Sequence, residues 1–277
     1  MKEILNSYEK YSGTDTHLRY QFQGREGEIF SEKRKIADFY LPEKFSSFFV
    51  IIPGAGFNEK KNFLIYRHFR YLLGHGIALL IFNLDNFSSS RTDEEFFQYI
   101  AEKVAEIRKT INFIYETFQV KNVSIGGISF GGILSFLTGG MEEGIRKFVI
   151  MISGVDIEKI TWRSLLRFRL KKDCSRKVCH RMHVIYKKLI KENFFPEICN
   201  LPRKCFIYDP LVFLEHLKDR NIIMVNGMFD LIIPFYCALP VKRKIKKTKI
   251  FWYPGTHITF FVFLPFFKNR ILKFLKD

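Results

Sequence analysis

Val123-Ser124-Ile125-Gly126-Gly127-Ile128-Ser129-Phe130-Gly131-Gly132-Ile133-Leu134 decides how the rest of the chain is read. Residues 123–128 form an apolar run without strict alternation, which is how a strand buried on both faces looks. Residues 131–141 continue with the pattern of an apolar helix. Gly-x-Ser-x-Gly therefore falls where a buried strand hands over to a helix. A serine at the apex of such a turn takes a strained backbone conformation, and small residues two positions to either side keep the turn free of clashes. The turn lifts the hydroxyl above the sheet, at a helix N-terminus where the dipole favours developing negative charge. Ser129 is the candidate nucleophile, and the competing reading is a glycine-rich turn with a bystander serine.

Similar runs recur at 48–52, 77–82, 148–152, 222–225 and 250–253. Helical patterns lie between several of them, at 63–73, 93–118 and 131–141. The second of these has Thr92 as N-cap and Glu95 three residues on, the signature of a capping box. Strands alternating with helices predict a parallel α/β sheet, and two leading strands at 17–23 and 28–41 predict a mixed edge. About seventy residues separate the runs ending at 152 and starting at 222, too many for one crossover helix. Much of that stretch is helical in pattern and strongly basic, from Arg163 to Lys191. It reads as an inserted helical cap, residues 155–219, on a core formed by 1–154 and 220–277.

Two further loops carry chemistry. Asn226-Gly227-Met228-Phe229-Asp230 follows the run 222–225, with Pro234 close behind. Pro254-Gly255-Thr256-His257 follows the run 250–253. A carboxylate past a strand end can orient an imidazole and stabilise its protonated form. Ser129, Asp230 and His257 are the candidate triad, with Asp156, one strand earlier, as the competing acid. His68 and His216 fall in helical patterns, His75 in a Gly-His-Gly turn and His17 before the first strand. Acyl transfer also needs donors for an oxyanion. The N–H of Phe130 is one candidate. The N–H of Ala55, with Gly56 as its neighbour, is the other, in Pro53-Gly54-Ala55-Gly56-Phe57.

With these motifs in this order the chain resembles the α/β-hydrolase superfamily over nearly its whole length, and among its members the esterase and lipase-like proteins carrying Gly-x-Ser-x-Gly-Gly. The resemblance implies an eight-stranded, mostly parallel sheet flanked by helices, a cap between the sixth and seventh strands, and hydrolysis through an acyl-enzyme without a cofactor. Pro53 departs from the histidine that many members carry before the glycines of the oxyanion loop. The expected activity is serine-dependent hydrolysis of a small-molecule carboxylic ester. Thioester cleavage or acyl transfer with the same triad, and a non-catalytic binding module, are the alternatives.

Bulk properties bound the rest. The chain has 277 residues and 47% hydrophobic composition, enough for one large domain with a sizeable core, and 26% charged residues, an ordinary globular share. The net charge of +17 would attract anionic partners. Compositional drift is the preferred explanation, since no nucleic-acid-binding motif accompanies the charge and no nucleic-acid partner is expected. An anionic membrane surface is the other reading of the basic cap, the 242–249 run and the phenylalanines of 260–267. Residues 1–10 lack a signal-like apolar stretch, so a reducing cytoplasm is expected for the five cysteines, with a peripheral membrane position as the alternative. The longest apolar run, 258–267, includes a proline and is shorter than the roughly 20 residues of a membrane span. Cys174, Cys179, Cys199 and Cys205 cluster with His180 and His183. Their spacings are not those of a zinc knuckle, so ordinary thiols are expected and no metal.

Overall fold

The computed structural model describes residues 1–11, 18–57, 59–84, 88 and 91–277. Its centre is a nine-stranded sheet in the order β1-β2-β3-β5-β4-β6-β7-β8-β9. The strands are β1 (Leu18–Gln23), β2 (Glu26–Ser31), β3 (Arg34–Tyr40), β4 (Ser47–Ile52), β5 (Ile77–Phe82), β6 (Asn122–Ile128), β7 (Lys147–Met151), β8 (Asn221–Gly227) and β9 (Thr248–Tyr253). The first three pair antiparallel, β3 runs antiparallel to β5, and β4 to β9 are mutually parallel. The expected mixed edge is present. The count is nine rather than eight because the stretch 28–41 is no single strand: it turns back on itself between β2 and β3 at Glu32, whose φ of 55° reverses the chain. His17 lies outside the described residues.

Alternate residues of each parallel strand face opposite cores, as a period of two dictates. Phe48, Val50 and Ile52 of β4 belong to one core with Ile125 of β6 and Ile150 of β7, while Phe49 and Ile51 belong to the other with Ile128, Val149 and Val225. The first core is covered by α1 (Lys2–Tyr11), α3 (Asp93–Phe118) and α4 (Phe130–Met141). The second is covered by α2 (Glu59–Phe69), the α9 turn (Phe260–Phe263) and α10 (Lys268–Lys276). Thr92 caps α3 as expected: its hydroxyl accepts from the Glu95 N–H at 3.3 Å and the Glu95 carboxylate accepts from the Thr92 N–H at 2.7 Å. The first helix was not anticipated. Ile4 and Tyr8 are one turn apart and buried, with the Tyr8 ring edge-on to Phe97 at 5.1 Å and to Phe213 at 6.1 Å.

Between β7 and β8 lie α5 (Ile157–Trp162), α6 (Arg176–Lys191), α7 (Phe195–Cys199) and several short 3-10 turns, so that α8 (Leu239–Lys244) comes after β8. A buried carboxylate ties this segment to the end of β7. Asp209 accepts from the backbone N–H groups of Asp156 and Leu211 through Oδ1 and of Ile157 through Oδ2, each at 3.0 Å. Burial, and then the neighbouring Asp156 carboxylate, pushes the Asp209 carboxyl up to about 7 against the pull of those three donors. Asp209→Ala would leave three N–H groups without their acceptor, at about 1 kcal/mol or more each. A melting temperature about 10 °C lower is expected by calorimetry. An unchanged melting temperature would mean that water replaces the carboxylate at no cost.

Among the described residues, no helix is long and apolar enough to cross a membrane.

Candidate active site

Parallel strands deliver their C-terminal ends to one edge of the sheet, and the loops beyond β4, β6, β8 and β9 meet there. Ser129 is the residue between β6 and α4, with φ 55° and ψ −118°. Such a conformation for a side chain other than glycine costs on the order of 1–3 kcal/mol and persists only when its surroundings impose it. Here the Ser129 N–H donates to Met151 O at 2.8 Å, and Gly132 N–H donates to Ser129 O at 2.9 Å. The small residues predicted on either side are demanded by contact. A Cβ on Gly127 would lie 2.3 Å from Gly131 O, and one on Gly131 would lie 2.1 Å from Ile52 O.

The three candidate residues are brought together. His257 Nε2 lies 2.9 Å from Ser129 Oγ, and His257 Nδ1 lies 2.7 Å from Asp230 Oδ2. The other carboxylate oxygen of Asp230 accepts from the N–H groups of Ile232 and Ile233, at 2.8 and 2.9 Å. The side chain of Asp230 is buried, and that of His257 is 15% exposed. Two backbone bonds hold the loops in register: Met228 N–H donates to Tyr253 O at 2.9 Å and Phe229 N–H to Gly255 O at 3.0 Å.

The competing acid is engaged elsewhere. Asp156 caps α5, and its carboxylate pairs with Lys159 at 2.8 Å and Lys187 at 3.1 Å. His68 lies in α2, His75 ends a 3-10 turn before Gly76, and His216 lies in a turn rather than a helix.

Ala55 and Gly56 border the same chamber as Ser129, Phe130 and His257. Gly54 brings their loop against the nucleophile: a Cβ there would lie 3.2 Å from Ser129 Cβ. Phe130 opens α4, so its N–H belongs to the first helical turn, where no intrahelical acceptor exists.

No family model matches the chain, and no curated protein matches it. Solved structures do. Acetyl xylan esterase 1 from Thermoanaerobacterium superposes with a TM-score of 0.61 at 16% identity, covering 95% of this chain and 93% of that one. An esterase from Pyrococcus furiosus gives 0.61 at 14% identity, covering 94% and 92%. The acylaminoacyl peptidase of Pyrococcus horikoshii gives 0.62 at 11% identity, covering 98% of this chain and 43% of the longer one. The fold is that of the α/β-hydrolases. Identities this low establish architecture and not substrate.

In this α/β-hydrolase fold the chamber above Ser129 measures about 490 Å³ and is walled on one side by the segment between β7 and β8. Phe96, Ile133, Ile160, Trp162 and Leu166 make much of its lining apolar. Cys179 and His183 also line it, with Sγ and Nδ1 3.5 Å apart, which invites comparison with a thiol–imidazole pair. They are poorly suited to that role. Burial pushes the Cys179 thiol up to about 12 and holds His183 below its ordinary range, so both groups stay neutral at physiological pH. Among the described residues, no group of three or more His, Cys, Asp or Glu is placed to hold a metal ion, and all five cysteines are free. The apolar lining residues were not singled out from the sequence, because they are scattered over segments whose meeting depends on tertiary packing.

Proposed function

We propose that the chain is a serine hydrolase that cleaves a carboxylic ester through an acyl-enzyme. The hydrogen-bonded series Asp230–His257–Ser129, with the serine on a strained strand–helix turn, carries this reading. Ser129 Oγ attacks the ester carbonyl carbon while its proton passes to His257 Nε2. The resulting oxyanion accepts hydrogen bonds from the N–H groups of Phe130 and of Ala55 or its neighbour Gly56; each such donor is worth roughly a hundredfold in rate. Collapse of the tetrahedral intermediate breaks the bond to the alcohol, which leaves with the proton from His257. Water then attacks the acyl-enzyme, giving a proton to His257 that returns to Ser129 Oγ as the acid departs. Asp230 keeps His257 in the tautomer with Nε2 unprotonated and compensates the charge of the imidazolium. The scheme uses no cofactor.

Neighbours of the fold include esterases and an acylaminoacyl peptidase, so an ester or peptide hydrolase is the class they support. The segment 155–219 serves in this scheme as a cap that narrows access. Exposed apolar side chains beside the triad, Met228, Phe229, Leu231 and Ile258, suit an apolar alcohol group.

The test is labelling with a fluorophosphonate probe beside turnover of a short and a long p-nitrophenyl ester. Wild-type protein is expected to label and to turn over at least one ester. Ser129→Ala is expected to lose labelling and about 10⁴-fold or more of the rate. Folded wild-type protein that neither labels nor turns over either ester would overturn the proposal.

A further inference from the structure

Arg91 stands immediately before the Thr92 N-cap of α3 and lines the same chamber as Ser129 and His257. Its guanidinium carbon lies 4.3 Å from the centroid of the Tyr99 ring. Tyr99 in turn stacks on Phe130, with centroids 6.3 Å apart and planes 17° apart. Two ring contacts thus connect a fixed positive charge to the residue that follows the nucleophile.

Among the described residues no ion pair engages that charge, although it acts through space on the exposed Glu95 carboxylate. Arg91 Nη1 is buried and makes no hydrogen bond. The neighbouring acids hydrogen-bond to other groups. Glu95 accepts from the N–H and hydroxyl of Thr92, at 2.7 and 2.9 Å. Asp93 accepts from Tyr208 Oη at 2.9 Å, and Asp173 accepts from the Asp93 N–H at 2.9 Å and faces Arg203 at 3.6 Å. A guanidinium cannot shed its proton, so a buried donor left in this state is an unrelieved cost that an anionic ligand would remove. Arg169 and Lys171 line the same chamber and add to its positive potential.

The topology indicates which half of the ester bears the anion. β8 and β9, which carry Asp230 and His257, lie on one side of β6, whereas β5, which precedes Arg91 and α3, lies on the other. The departing alcohol must take its proton from His257 and therefore lies on the histidine side. The acyl chain is left to run the opposite way, past Phe130 and the apolar Phe96 and Ile133 toward Arg91. Resting on the hydrolase reading of Ser129, we propose that the acyl chain ends in a carboxylate held by Arg91, so that the substrate is a half-ester of a dicarboxylic acid with an apolar spacer.

The test compares mono-p-nitrophenyl adipate with its methyl-capped, neutral counterpart. Wild-type protein is expected to prefer the charged ester by about tenfold or more in kcat/KM, as a charge-assisted hydrogen bond would give. Arg91→Met is expected to bring the ratio close to one, and Arg91→Lys to restore part of it; Arg91→Gln replaces the methionine variant if that fails to fold. Free adipate titrated calorimetrically into Ser129→Ala protein is expected to bind, and to lose binding when Arg91→Met is added. A wild-type ratio of one, or a ratio that Arg91→Met leaves unchanged, overturns the proposal while nitrophenol release keeps the hydrolase reading intact. If neither ester is turned over, fluorophosphonate labelling of Ser129 decides the hydrolase reading, and the adipate titration still decides whether Arg91 holds a carboxylate.

Discussion

Asp230→Asn is expected to lower kcat by about 10⁴-fold while leaving the melting temperature close to that of wild type. The two oxygens of Asp230 have different work. Oδ1 takes the N–H groups of Ile232 and Ile233, and Oδ2 faces His257 Nδ1. An asparagine in this position must keep its carbonyl oxygen toward the two N–H donors, because the flipped rotamer would set donor against donor. Its NH2 group is then turned toward His257 Nδ1 and donates to it. The imidazole proton is forced onto Nε2, which faces Ser129 Oγ at 2.9 Å and can no longer accept the serine proton. The fold loses little, since the backbone bonds to Oδ1 survive. Asp156→Asn is the matched control: that carboxylate is held by Lys159 and Lys187, and its loss should leave kcat almost unchanged. Steady-state turnover of a p-nitrophenyl ester, with thermal melts of all three proteins, measures both effects. A loss below tenfold for Asp230→Asn would remove this residue from the orienting role.

The choice between Asp156 and Asp230 also shows where sequence reasoning reaches its end. Both follow a buried strand, so local pattern favours Asp230 only through its Gly-x-x-Asp turn and Pro234. Lys187, which engages Asp156, lies thirty-one positions away on α6, beyond any local signal. The strands β4 to β9 were legible because parallel strands buried on both faces leave continuous apolar runs. The turn at Ser129 was legible because its glycines are dictated by backbone crowding. The hairpin inside 28–41 was not, since Glu32 adopts its positive φ without being a turn-forming residue type. The first helix was missed for a related reason: Tyr8 gains its partners from Phe97 and Phe213, far along the chain. Arg91 likewise reads as one more basic residue in a polar loop until Tyr99 and the chamber are set around it.

Gly131→Ala is expected to cost about 3 kcal/mol or more in stability and about a hundredfold in kcat. The added Cβ would lie 2.1 Å from Ile52 O and 2.3 Å from Pro53 O, well inside any real contact of a methyl group. Both obstacles are backbone atoms, so no side chain can swing aside. Relief requires the end of β4 or the first turn of α4 to move by about an ångström, the scale of misplacement that costs catalysis on the order of a hundredfold. Those two pieces of backbone carry the N–H groups of Ala55 and Phe130, so the same displacement that relieves the clash separates the proposed oxyanion donors. Gly144→Ala offers the contrast: its Cβ would meet only the far end of the Tyr115 side chain, Oη nearest at 3.2 Å, and a near-neutral change in melting temperature and kcat is expected. If Gly131→Ala melts and turns over like wild type, then the approach of α4 to β4 is not what fixes the donors. If stability and rate fall together while Gly144→Ala stays neutral, the close packing of these two backbones is what holds both halves of the oxyanion site in place.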